Sequence, residues 1–190
     1  MIRIGLLGDI GSGKSYIAKK FGYPVFNADF EVSKIYKTNK TVFKNLKKKL
    51  PKFFNSFPIK KNEVSNAILT NKNNLQKIVK IVHSEVRRKM KIFLDKNKNK
   101  KIVILDIPLL LENKINNKND ILVFVQSKKF EILKRLKKRK NFNIELVKRF
   151  QKIQLSLDYK KRKSQYVIKN DFSEKTASKY VKDILVKILK

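Results

Sequence analysis

Gly8-Asp9-Ile10-Gly11-Ser12-Gly13-Lys14-Ser15 spells G-x-x-x-x-G-K-S, and the reading of these eight residues decides the fold. The flanks agree with it. Ile2 to Leu7 is a short apolar run suited to a buried strand. Lys14 to Phe21 places Ile17, Ala18 and Phe21 on one helical face, with Gly22 as a stop. Strand, glycine-rich turn and helix start together make a phosphate cradle. Glycines let the backbone turn its N–H groups inward, and the helix end adds partial positive charge. Lys14 is placed to reach outer phosphates, and the Ser15 hydroxyl to hold Mg²⁺.

Working outward, Tyr23-Pro24-Val25-Phe26 reads as a second strand ending at Asn27-Ala28-Asp29. A carboxylate at the C-terminal end of a strand in an α/β sheet faces the ligand crevice. Asp29 is therefore a candidate proton acceptor or water-mediated Mg²⁺ partner, and also a candidate N-cap for a helix over 30–36. From about Thr38 to Asn99 only helical spacing is found. Val42, Phe43, Leu46 and Leu50 form one run, stopped by Pro51. Val64, Ala67 and Ile68 suggest a short helix, and Leu75 through Phe93 a further one. This stretch reads as an insertion beside the sheet, suited to recognising the acceptor, and it holds His83, the sole histidine.

Lys101 to Asp106 is the clearest inner strand, and Asp106 at its end is a second candidate Mg²⁺ partner. Ile121 to Val125 is the next strand. Ser127 is expected to cap a helix carrying Phe130, Ile132, Leu133 and Leu136. Arg135 and Arg139, four apart, are expected to share a face of it. A second helix is expected through Leu146, Phe150, Ile153 and Leu157, and the two read as a basic lid over 137–157. Tyr166-Val167-Ile168 is a last strand. Asp171 and Glu174 have capping-box spacing before a final amphipathic helix.

Composition bounds the rest. A chain of 190 residues with 42% hydrophobic content is long enough for one domain and a real core. There is no cysteine, and no apolar run approaches the roughly 20 residues of a membrane-spanning helix. The first residues are already a strand, so a cytoplasmic protein without a signal peptide is expected. Lys and Arg total 48 against 15 acids, a net charge of +33. Two readings compete for it: nucleic-acid binding, and A/T-biased coding, which makes Lys, Asn and Ile abundant. The scatter of lysines along the whole chain favours bias combined with a polyanionic small-molecule substrate.

The ordered set of motifs resembles the dephospho-CoA kinase family nearly end to end. The resemblance rests on Gly8–Ser15, on Asn27-Ala28-Asp29 against a D-A-D, and on Asp106-Ile107-Pro108-Leu109-Leu110-Leu111-Glu112 against D-x-P-L-L-x-E. Val82-His83, the Arg135 and Arg139 spacing, and Val167-Ile168-Lys169-Asn170 add to it. It implies a three-layer α/β P-loop kinase fold: a parallel five-stranded sheet, a helical CoA-binding insertion over 38–99, and a lid. It further implies ATP-dependent phosphorylation of the ribose 3′-hydroxyl of dephospho-CoA. Asp29, Lys14 and Arg139 would then be catalytic. Gly8, Gly11, Ser12, Gly13, Lys14, Ser15, Tyr16, Arg135 and Asn170 would bind ATP. Asp29, His83, Pro108, Leu109 and Glu112 would bind the acceptor, and Ser15 with Asp106, through water, would hold Mg²⁺. The expected partner is dephospho-CoA alone, with no specific nucleic acid, no membrane, and a monomer or small homo-oligomer. Asp9, Asn27, Ser84 and Lys160 depart from the family pattern, where glycine, aspartate, proline and, near the chain's end, arginine are usual; Arg162 is a candidate substitute for the last, since lysine lacks the bidentate fork. The rival readings are another small-molecule P-loop kinase, for a nucleoside or nucleotide, and a nucleic-acid-binding P-loop ATPase.

Overall fold

The computed structural model describes residues 1–140 and 142–190; the expected lid therefore includes one position, Asn141, outside the described residues. In chain order the elements are β1 (Ile2–Gly8), α1 (Lys14–Lys20), β2 (Val25–Asn27), α2 (Ala28–Thr38), α3 (Lys40–Lys49), α4 (Lys61–Thr70) and α5 (Lys72–Lys96). Then follow β3 (Ile102–Asp106), β4 (Ile121–Gln126), α6 (Lys129–Lys137), α7 (Ile144–Lys152), α8 (Leu157–Lys163), β5 (Tyr166–Lys169) and α9 (Glu174–Leu189). The five strands form one sheet in the order β2-β3-β1-β4-β5, and every pairing is parallel. This is the α/β P-loop kinase fold that the motifs imply.

Two compact units divide the chain: Met1–Asn27, Leu94–Phe142 and Gln154–Lys190 form the first, and Ala28–Phe93 with Asn143–Ile153 the second. The first is the sheet unit. β3 is buried at all five residues, as an inner parallel strand covered on both faces requires. Ile4, Leu6, Ile102, Ile104, Val123 and Val125 of the sheet pack with Ile17 and Ala18 of α1 and with Ala177, Val181 and Ile184 of α9. The short edge strands β2 and β5, of three and four residues, offer little unpaired backbone. The second unit is helical, with Ile35, Leu46, Phe54 and Ala67 among its most buried residues.

Several local expectations change. Lys128, not Ser127, precedes α6, and no side chain caps that helix. The Ser127 hydroxyl is drawn instead to the backbone of the phosphate loop. Arg139 lies past the end of α6, so it does not share a helix face with Arg135. The expected helix through Leu157 is two helices, because Ser156 accepts from the Tyr159 amide at 3.2 Å and starts α8 afresh. Ser173, rather than Asp171, caps α9. The Asp171 carboxylate accepts from the Ser173 amide and the Thr176 hydroxyl just ahead of it.

Candidate active site

β1 delivers the chain to the loop at the centre of the sheet. Gly8 has φ 144°, and a Cβ there would meet the Val125 carbonyl oxygen at 2.5 Å. Gly13 has φ 93°, and a Cβ there would meet Asn170 Nδ2 at 2.4 Å. Both positions thus require glycine on conformation and on space. Gly13 directly precedes α1 and accepts from the Tyr16 and Ile17 amides at 3.0 Å each. The earlier amides of that first turn have no acceptor within the helix and point outward as donors.

The loop is held from behind at one atom. The Ser12 carbonyl accepts from Ser127 Oγ at 2.9 Å and from Asn170 Nδ2 at 2.8 Å. In a trans peptide the carbonyl and the next N–H point opposite ways. Two donors on the Ser12 oxygen therefore turn the Gly13 N–H away from β4 and β5, free to meet an anion. Asn170, itself buried, is fixed in turn by the Gln126 carbonyl and the Phe172 amide. It braces the loop from behind.

Lys14 Nζ lies on the loop's own carbonyls, 3.1 Å from Gly8 O and 2.7 Å from Asp9 O. A buried ammonium held over the loop's strand-side arm is a phosphate counter-charge already in position. Asp9, the departure at the loop, turns its Oδ1 to the Ile10 amide at 2.7 Å. Its charge is partly met by that donor. Ser15 and Tyr16 are exposed on the first turn of α1.

At the end of β3, Asp106 is buried and accepts from Asn27 Nδ2 at 2.6 Å. The two are register partners across β2 and β3. An amide at Asn27 supplies a donor where a second carboxylate would repel the first. Pro108 and Leu109 follow, half-buried, in a tight turn. Glu112 is drawn inward: its side chain is 8% exposed and pairs with Lys160 Nζ at 2.7 Å. On the other side of the loop, the Arg135 guanidinium stacks 4.3 Å from the Phe172 ring centre. Phe172 has φ 66°, a conformation that bulky residues rarely adopt, and its ring edge lies beside Gly13. Arg139 is exposed in the turn after α6.

In the helical unit, Asp29 is exposed in the first turn of α2, two residues past the end of β2. His83 is half-buried on α5. The sheet unit thus gathers the loop, Asp106, Asn170 and Arg135. Ser127 and Phe172 are the site-forming residues that sequence reasoning missed. A lone serine after a strand and a phenylalanine before a helix carry no distinctive spacing, and only their place beside the loop gives them a role.

A protein-family model described as dephospho-CoA kinase matches residues 2–176. Two relatives, the dephospho-CoA kinases of the Wolbachia endosymbiont of Brugia malayi and of Wolbachia pipientis wMel, are 34% and 33% identical. Each alignment covers 96% of this chain and 95% of the relative. Among solved structures, a Thermus thermophilus protein superposes with a TM-score of 0.81 at 23% identity, covering 100% of this chain and 98% of that one. The dephospho-CoA kinase from Campylobacter jejuni gives 0.63 at 21% identity, covering 98% and 96%. These likenesses show a shared fold.

Proposed function

The chain belongs to the dephospho-CoA kinase family, and from that premise we propose how its residues divide the reaction. It phosphorylates dephospho-CoA with ATP to give coenzyme A. Phosphoryl transfer needs positioning and charge neutralisation more than covalent chemistry. The observation that carries the assignment of roles is the doubly held Ser12 carbonyl, which presets the loop before any phosphate arrives.

In this reading the loop at Gly11, Ser12 and Gly13 and the Lys14 ammonium hold the outer phosphates of ATP, with Gly8 giving the loop its turn and the Ser12 amide closing it on the Asp9 carbonyl at 3.2 Å. Ser15 and Tyr16 complete the phosphate side. Arg135, already presented by Phe172, meets the nucleotide, and Asn170 keeps the loop in shape. Arg139 supplies positive charge toward the transferring group. The donor set suits Mg²⁺: a hydroxyl at Ser15 and a buried carboxylate at Asp106 acting through water, with phosphate oxygens completing the shell. Among the described residues no cluster of three acidic or histidine side chains competes for a metal. Mg²⁺, when bound, neutralises phosphate charge. Asp29 accepts the proton of the 3′-hydroxyl as it attacks phosphorus and the bond to the leaving ADP oxygen breaks. His83, Pro108 and Leu109 receive the acceptor. No helix among the described residues is long and apolar enough to cross a membrane, and we place the enzyme in the cytoplasm.

The test is ATP turnover by purified protein with Mg²⁺ and dephospho-CoA, beside AMP, adenosine, other nucleosides and single-stranded DNA. ADP and coenzyme A formed only with dephospho-CoA is the expected result. Turnover on another acceptor alone would overturn it.

A further inference from the structure

The turn leaving β3 and the segment leading into α8 are tied by a pair of charges withdrawn from water. Lys160 Nζ lies 2.7 Å from Glu112 Oε1, with the two side chains 0% and 8% exposed. The same carboxylate oxygen accepts from the Leu155 amide at 3.0 Å. Lys160 Nζ also donates to Gln154 Oε1 at 3.1 Å. The second oxygen of Glu112 is buried and makes no hydrogen bond among the described residues.

Stability is a poor reason for this arrangement. Desolvating two charges offsets most of their attraction, and apolar residues of similar size often serve a fold as well. Position is a better one. Glu112 is bonded to two points of the 154–160 segment, and Lys160 returns a third bond to Gln154. Gln154 and Leu155 are the residues with which the chain resumes the sheet unit after Ile153. Glu112 stands three and four residues after Leu109 and Pro108 in a turn closed by bonds from Leu110 N to Ile107 O, Asn113 N to Leu109 O and Ile115 N to Leu110 O. A shift at Glu112 is therefore passed to Pro108 and Leu109 with little slack.

We propose that the Lys160–Glu112 pair is a positioning clasp for the acceptor side of the reaction. It fixes the Gln154–Lys160 segment against the turn that carries Pro108 and Leu109, and it touches no substrate itself. Glu112, expected from the motif to contact substrate, acts through its neighbours instead. The inference rests on the dephospho-CoA kinase reading.

A single substitution leaves one charge buried and unpaired, so the deciding variant is the double Glu112→Leu, Lys160→Met in the full chain, which removes both charges. It is expected to fold, as read by circular dichroism, and to raise KM for dephospho-CoA by about tenfold while KM for ATP stays within about twofold. Lys160→Arg, which keeps the charge, is expected to hold the acceptor KM near wild type. Amide hydrogen exchange at Leu155 is expected to quicken in the double variant while that at Ile104 does not. An unchanged acceptor KM overturns the clasp, as do equal rises in both KM values or a double variant that cannot fold. Wild-type protein inactive on dephospho-CoA would sink the functional reading instead. The Leu155 exchange, which needs no turnover, would still decide whether the pair fixes the segment.

Discussion

Ser127 supplies one of the two hydrogen bonds that orient the Ser12 peptide, so its hydroxyl can be removed without touching any atom that meets ATP. Ser127→Ala is expected to cost about 1 kcal/mol, the usual worth of one such bond. Steady-state kinetics should show a several-fold rise in KM for ATP, and Ser127→Thr should restore it. Asp29 is tested by the opposite pattern. Asp29→Asn preserves shape and removes the basic oxygen. ATP affinity should hold while kcat falls by about 10²–10⁴-fold; a kcat near wild type would remove Asp29 from the role of base. Residues at this scale divide by legibility. Lys14, Ser15 and Asp106 announce themselves because their chemistry is tied to a fixed spacing or to a strand end. Ser127 and Lys160 do not, since their partners lie 115 and 48 residues away in sequence.

Elements were legible where burial sets a period. β3 and β4 are unbroken apolar runs, and α9 is a clean stripe, so both the sheet and its covering helix could be read directly. Ends of elements were harder, because a cap depends on which polar side chain finds which amide. The run through Leu146 and Leu157 keeps helical spacing across a real break at Ser156, and Ser127 has a cap's composition without its partner. The end of β5 illustrates a cost that spacing does not reveal. Phe172 holds φ 66°, which in a non-glycine residue costs about 1–2 kcal/mol. Phe172→Gly should relieve that strain and lose the Arg135 stack. Thermal unfolding should show Tm little changed, while KM for ATP rises. At the start of α4, burial pushes the Glu63 carboxyl up, but the Lys60, Asn55 and Ser56 amides and the Ser56 hydroxyl outweigh it and hold it below the usual carboxylate range. A depressed folded-state value means the stabilisation is present above the unfolded value and is lost as pH falls through the folded one. Glu63→Gln should therefore lower Tm by about 2 °C near neutral pH, the modest effect suited to a half-buried surface group still screened by water. The two melting curves should converge as pH falls below the ordinary carboxylate range.

For the molecule as a whole, charge dominates. A net +33 far exceeds what one pyrophosphate-bearing substrate needs, and pairs such as Arg3–Asp120 and Arg88–Glu85 engage few of the basic residues. Fluorescence polarisation with single-stranded DNA should show binding at low salt that disappears by about 0.2 M, the mark of counterion release. Binding that persists there, with nucleic-acid-stimulated ATPase activity, would favour the polymer-binding reading of the chain. The sheet has a further consequence in time. β1 lies at its centre, paired to β3 at Ile2↔Ile102 and to β4 at Ile4↔Ile121. On the ribosome, at about 5–20 residues per second, that strand waits roughly 5–20 seconds for its first partner to be made. An apolar segment left unpaired for so long on a nascent chain is a target for chaperones and for its neighbours on the same message. The phosphate loop is thus synthesised well before the strands that flank it and is among the last parts to take shape.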